Sequence, residues 1–269
     1  MDFEKKDFYT MDDFLKIVEI LRSPEGCPWD KAQTHESIRV NFIEETYEAI
    51  EAIDTRDTAL LREELGDVLL QVALHAQMEK EQGHFSFENV VNEVAQKLVY
   101  RHPHVFGDVT ATNEEEALKS WDDAKKASKE QKTTTQVLQS VSRALPALIR
   151  SEKVQKKAAK AGFDWPDVQG AMEKVSEELS EVREAAASES QEACMDEVGD
   201  LLFAAVNVAR FLHAEPEEAL TRACDKFIRR FQMVENLARE KEICMEKASL
   251  EELDALWMEA KQEERNEQA

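Results

Sequence analysis

The sequence predicts an all-α protein made of two similar helical units, and three observations carry that prediction. Apolar residues recur with a helical period along most of the chain, and no segment alternates as a strand would. Gly and Pro are scarce, 7 and 6 among 269 residues, which argues against sandwiches, barrels and glycine-rich nucleotide loops. The two halves also repeat each other. Glu44-Glu45-Thr46-Tyr47-Glu48 and Glu63-Glu64-Leu65-Gly66-Asp67 return as Glu177-Glu178-Leu179-Ser180-Glu181 and Asp196-Glu197-Val198-Gly199-Asp200, at a fixed offset of 133 residues.

Each helix has a local reason. Phe14, Ile17, Val18 and Leu21 form one apolar stripe, and Ser23-Pro24-Glu25-Gly26 stops it. A loop with Cys27-Pro28-Trp29-Asp30 should follow. A second helix is expected from about His35 to Ile53, carrying Phe42, Ile43, Tyr47 and Ile50. Asp57 or Thr58 can cap a third, which ends near Gly83, and Ser86 can cap a fourth that runs to Arg101-His102-Pro103. Asn113 with Glu116 reads as a capping box for a helix through Trp121.

Between Asp122 and Ser142 the chain turns polar, with Lys125, Lys126, Lys129, Lys132 and Thr133-Thr134-Thr135. The division expected is therefore a first unit over 1–130, a linker over 131–145 and a second unit over 146–269. Pro146 opens the next helix and Gly162 ends it. Helices from Pro166, from Ser190 to Leu212 and from Pro216 to about Lys241 follow. Ser249 with Glu252 caps the last. Apolar faces on helices this long must pack on one another, so bundles are expected, and surplus apolar surface favours a homodimer.

Asp and Glu total 57 against 34 Lys and Arg, a formal net charge of −23. Such a field repels nucleic acid and anionic membranes, and no apolar run is long enough for a membrane span. The N-terminal stretch lacks the apolar core of a signal peptide, and the four cysteines match no zinc module. These features point to a reducing, cytoplasmic setting.

The acidic blocks carry the chemistry. Glu178 and Glu181, like Glu197 and Asp200, are three residues apart and share a helix face. Four facing carboxylates repel and call for a cation. The first unit repeats the set as Glu45, Glu48, Glu64 and Asp67. Gly66 and Gly199 sit inside these motifs, where glycine weakens a helix, and a close approach of two helices would explain them. An all-oxygen set suits Mg²⁺, Mn²⁺ or Ca²⁺ rather than zinc. The six histidines, His35, His75, His84, His102, His104 and His213, lie outside the motif, unlike those of a di-iron bundle. Lys226, Arg229 and Arg230 offer cations for phosphates, and Lys97 and Arg101 match Lys226 and Arg230 in the first unit.

With Gly26-Cys27-Pro28-Trp29-Asp30-Lys31, Arg101-His102-Pro103-His104-Val105-Phe106, Gly162-Phe163-Asp164-Trp165 and Lys226-Phe227-Ile228-Arg229-Arg230-Phe231, these blocks resemble the MazG family of nucleoside triphosphate pyrophosphohydrolases, within the all-α NTP pyrophosphatase superfamily. The resemblance implies four-helix-type units working as dimers. It implies Mg²⁺ as cofactor and hydrolysis of nucleoside and deoxynucleoside triphosphates to monophosphate and pyrophosphate, and the all-carboxylate set would accept Mn²⁺ in place of Mg²⁺. Carried over by motif, Glu178, Glu181, Glu197 and Asp200 would hold the metal. Lys226, Arg229 and Arg230 would bind phosphates, and Trp257 would lie near the nucleotide. Glu177 or Glu181 would accept a proton from the attacking water.

The halves differ in two positions that matter here. Asn207 corresponds to Leu74, and Arg229 to Tyr100, so the second unit is expected to be the main site. The alternatives are a narrower hydrolase of the dUTP or dCTP type, and a helical interaction protein with a vestigial metal site.

Overall fold

The computed structural model describes residues 3–127, 133–187 and 190–267. Lys129 and Lys132 of the polar stretch lie outside them. The chain divides into two compact units, 1–130 and 131–269, and among the described residues there is no strand.

The first unit begins with α1 (Met11–Arg22), capped by Thr10 and Asp13 in a capping box. Where a loop was expected at Cys27–Asp30, Pro28 opens a short helix, α2 (Pro28–Ala32). Its ring fixes φ in the helical range, and its missing N–H costs nothing in a first turn. The next helix, α3 (Arg39–Thr55), starts later than expected. Thr34 N–H donates to Ser37 Oγ (2.9 Å) and Ser37 N–H to Thr34 Oγ1 (3.2 Å), and this turn holds the preceding residues.

Arg56 adopts a left-handed φ of 58°, so the chain reverses at once into α4 (Thr58–Glu81). Asp57 caps α4, accepting from the N–H groups of Ala59 (2.9 Å) and Leu60 (3.0 Å). A link this short makes α3 and α4 an antiparallel hairpin. Then come α5 (Phe87–Arg101), α6 (Pro103–Phe106) and α7 (Glu114–Ala127). Pro103 both ends α5 and begins α6, and α7 extends beyond Trp121 into the polar stretch.

The core of this unit is Val18, Ile38, Ala73, Leu74 and Met78, closed by Phe14, Leu15, Leu70 and Phe87. Arg22 ties its edge together. The buried guanidinium donates to both oxygens of Glu81 (3.0 and 2.9 Å) and to the carbonyls of Asp30 (2.6 Å) and Gln33 (3.2 Å). The bidentate pair fixes the end of α1 against the end of α4, and the two carbonyl bonds hold α2 to it.

In the second unit, α8 (Thr134–Gln139) forms inside the stretch read as a linker and packs on α9 (Ala147–Lys160). Gly162, with φ of 87°, follows the end of α9. The unit continues through α10 (Val168–Ala187), α11 (Gln191–Phe211) and α12 (Pro216–Glu240). A 3₁₀ turn (Met245–Lys247) precedes α13 (Leu250–Glu267). The helices α10 and α11 pack side by side, as α3 and α4 do. Gln155 of α9 donates to the Phe203 carbonyl of α11 (2.8 Å).

The core of the second unit lies between α12 and α13: Val234, Leu237, Ala238, Leu256 and Ala260. Among the described residues no helix is long and apolar enough to cross a membrane. Two equivalent helices keep apolar side chains in the open, Val91, Val94, Leu98 and Val99 on α5, and Leu220, Phe227, Ile228 and Phe231 on α12.

Candidate functional site

Each unit gathers its acidic motif on one pair of helices. On α10 and α11, carboxylate oxygens of Glu178, Glu197 and Asp200 lie within 4.8 Å of one another, and on α3 and α4 those of Glu45, Glu48 and Glu64 do the same. Glu181 and Asp67 complete the expected sets from the margin. Glu181 acts on Glu178, and the charge of Asp67 acts on both Glu45 and Glu64. Each site has a buried floor, Glu178 (4% exposed) or Glu64 (8%), and an exposed rim, Asp200 or Glu48.

The two clusters are compensated differently. In the second unit, Lys174, one turn before Glu178, places Nζ 2.7 Å from Glu178 Oε1 and 2.8 Å from Glu177 Oε1. This ammonium holds the Glu178 carboxyl below its ordinary range. The other oxygen, Oε2, is buried and accepts from no N–H or hydroxyl group. Glu181 is pushed up, first because its protonated form hydrogen-bonds Glu178, then by burial.

In the first unit the position of Lys174 is taken by Asn41. Glu45 is raised by burial, then by the charges of Asp67 and Glu48. Glu64 is raised by burial, then by Glu48 and Asp67. Carboxylates that repel, together with a buried oxygen that lacks a donor, are the environment a hard divalent cation would relieve. The donor set therefore fits Mg²⁺ or Mn²⁺.

Glu177 faces Lys174 and solvent, while Glu181 stands against Glu178. Asn207 is half-buried on α11 and fixed from behind. Its Oδ1 accepts from Arg210 Nε (3.0 Å) and Nη2 (2.8 Å), and Arg210 in turn grips both oxygens of Asp164 (3.0 and 2.5 Å). The amide is thus oriented with Nδ2 left to donate. Its counterpart Leu74 is a core residue, 4% exposed.

Two of the three cations on α12 are engaged elsewhere. Arg230 Nε lies 2.7 Å and Arg229 Nη2 3.5 Å from Glu264 of α13, and Lys226 is exposed. Among the described residues no ion pair joins these three to the carboxylates. Trp257 packs against the α12–α13 core with its ring centroid 5.2 Å from that of Phe227. In the first unit Lys97 is exposed, and Arg101 lies over the Trp121 ring at 5.5 Å.

The two glycines do not mark a close approach of helices. A Cβ at Gly66 or Gly199 would meet nothing within 4 Å, so the space beside each motif is open. Sequence reasoning also missed Lys174 and Arg210. Lys174 was readable as the i,i+4 partner of Glu178, and Arg210 as the i+3 neighbour of Asn207.

Residues 33–106 and 167–234 match the MazG nucleotide pyrophosphohydrolase domain. The chain is 44% identical, over 93% of its length and 95% of the relative's, to the nucleoside triphosphate pyrophosphohydrolase/pyrophosphatase MazG of Thermotoga maritima. It is 43% identical to the nucleoside triphosphate pyrophosphohydrolase of Escherichia coli K12, over 94% of this chain and 98% of that one. An uncharacterized protein of Bacillus subtilis, YabN, is 50% identical over 97% of this chain, which spans 54% of the YabN length. The carboxylate clusters on α3–α4 and α10–α11 fall within the two matched stretches, and the chain belongs to the MazG nucleotide pyrophosphohydrolase family, with two copies of the domain in tandem.

Proposed function

We propose that the protein hydrolyses nucleoside and deoxynucleoside triphosphates to the monophosphate and pyrophosphate, dependent on Mg²⁺ or Mn²⁺, with the second unit as the main site. The observation that carries this reading is the carboxylate cluster with Glu178 buried at its floor. Glu178, Glu197 and Asp200 would hold the cation, with Glu181 at the margin. In the first unit Glu45, Glu48, Glu64 and Asp67 would do so. A bound divalent ion supplies charge neutralisation for the triphosphate and lowers the pKa of nearby water.

The chain supplies the rest. Glu181, whose carboxyl is raised by its hydrogen bond to Glu178 and then by burial, is better placed than the lysine-paired Glu177 to take the proton from the attacking water. Asn207, clamped by Arg210, presents an oriented amide donor. Lys226, Arg229 and Arg230 serve the phosphates once the two arginines leave Glu264, and Trp257 lies on the same helix pair. Lys97 and Arg101 are their counterparts in the first unit. The expected result is pyrophosphate release from all eight common NTPs and dNTPs in the presence of Mg²⁺. Release of orthophosphate alone would place the attack at the wrong phosphorus, and turnover of a single base would support the narrower hydrolase.

The exposed apolar faces of α5 and α12 support a homodimer. Light scattering should give about twice the chain mass of 30.8 kDa. A monodisperse monomer at micromolar concentration would contradict it. One observation favours a second reading, in which the first unit also turns over nucleotide. Asn41 stands at the position of Lys174, and among the described residues no ion pair engages its three clustered carboxylates.

A further inference from the structure

Beside the first-unit carboxylates lies a cavity of about 510 Å³, large enough for a small planar ligand. Phe42, Val72, Ala76, Phe85 and Val90 form its apolar walls, and His75, with His35 and Glu79 beside it, supplies a polar edge. The Phe42 and His75 rings are tilted by 35° at 5.7 Å. Phe42 precedes Glu45 by one turn of α3, and Val72 follows Asp67 on α4. At helical rise the cavity is roughly 4–8 Å along the hairpin from the acidic cluster.

A line of hydrogen bonds ends at this cavity. Glu79 Oε2 lies 2.7 Å from His84 Nδ1, Glu79 Oε1 lies 2.7 Å from His35 Nε2, and His35 Nδ1 lies 2.6 Å from His75 Nδ1. The planes of His35 and His75 are within 3° of parallel. Parallel rings with nitrogens this close cannot be stacked face to face, so they meet edge to edge through an N–H···N bond.

The line fixes the tautomers. Hydrogen bonds from His84 and His35 hold the Glu79 carboxyl below its ordinary range, so Glu79 is an ionised acceptor. His35 therefore carries a proton on Nε2. With that ring neutral, its Nδ1 accepts and His75 donates from Nδ1. Burial pushes the His75 pKa down, and a second proton on His35 would push it down further, so His75 stays neutral. Its remaining nitrogen, Nε2, is an acceptor available to a ligand. The second unit has no such line, because Val208 and Leu212 stand at the positions of His75 and Glu79.

We propose that this cavity is a base-recognition pocket of the first unit, in which His75 Nε2 accepts a hydrogen bond from an N–H of a heteroaromatic ring whose phosphates reach the Glu45, Glu48 and Glu64 cluster. The inference rests on reading that cluster as a nucleotide site. His75 is the specificity-determining contact, while Glu79 and His35 are positioning residues that keep Nε2 an acceptor. Phe42 and Phe85 would flank the ring.

The test uses the full chain carrying Glu197→Gln and Asp200→Asn, which silence the second unit. Binding of α,β-methylene ATP and of inorganic tripolyphosphate, each with Mg²⁺, is measured by calorimetry. The background chain should bind about one analogue per chain. Adding His75→Ala should weaken the analogue about tenfold and leave tripolyphosphate unchanged. Glu79→Gln, which loosens His35 at the polar wall of the cavity, should shift affinity in the same direction by less. Analogue binding unchanged by His75→Ala would overturn the proposal, as would an equal loss of tripolyphosphate or no binding to the background chain. Pyrophosphate release by the unaltered protein is scored separately, so the proposal can fail while the hydrolase reading stands.

Discussion

Glu178→Ala and Asp200→Ala should each lower nucleoside triphosphate hydrolysis by about a hundredfold or more, while the helical fold survives. Glu178 is the buried floor of the second cluster, and Asp200 is its exposed rim. Removing either leaves two of the three converging oxygens, too few for a small cation that prefers several fixed donors. The matched changes Glu45→Ala and Asp67→Ala should leave a large part of the activity. Only the second unit adds an amide oriented by Arg210 and the extra cation Arg229. In a chain of net charge −23, each cation near a triphosphate matters. Turnover and melting temperature should be read together. First-unit variants that are folded and dead, beside active second-unit variants, would reverse the assignment of the main site.

Chelation should have the other large effect. EDTA should abolish turnover, and Mg²⁺ or Mn²⁺ should restore it, because the donors are all carboxylate oxygen. The metal should also raise the melting temperature, since it binds the folded clusters and not the unfolded chain. The rise should be smaller in Glu45→Ala and Glu178→Ala, each of which lacks one of its own donors. Full activity in metal-free protein would remove the basis of the proposed function.

Much of the fold was legible because the helix ends are chemical. Asp57, Ser190 and Ser249 accept from backbone N–H groups where the sequence placed them, and Asn113 Oδ1 accepts from Glu116 N–H (2.9 Å). Helices too short to show a period, α2 and α6, were not legible, though Pro28 and Pro103 mark both. The acidic clusters were legible because the repeat holds one register across both units. What joins distant segments was not. Arg210 meets Asp164 from 46 residues away, and His35 meets His75 from 40. No periodicity in a single sequence encodes such meetings, which depend on how the helices pack.

Gly66 and Gly199 lie inside helices α4 and α11, and a Cβ at either would meet no other atom within 4 Å. Alanine there would favour the helix by roughly 0.8–1 kcal/mol. The fold on its own would thus be served better by alanine at both places. The space beside each glycine is open to whatever comes from outside the chain, a ligand or a second copy. A Gly199→Ala protein that melts later yet works worse would carry the outline of that visitor, recorded as a missing methyl group.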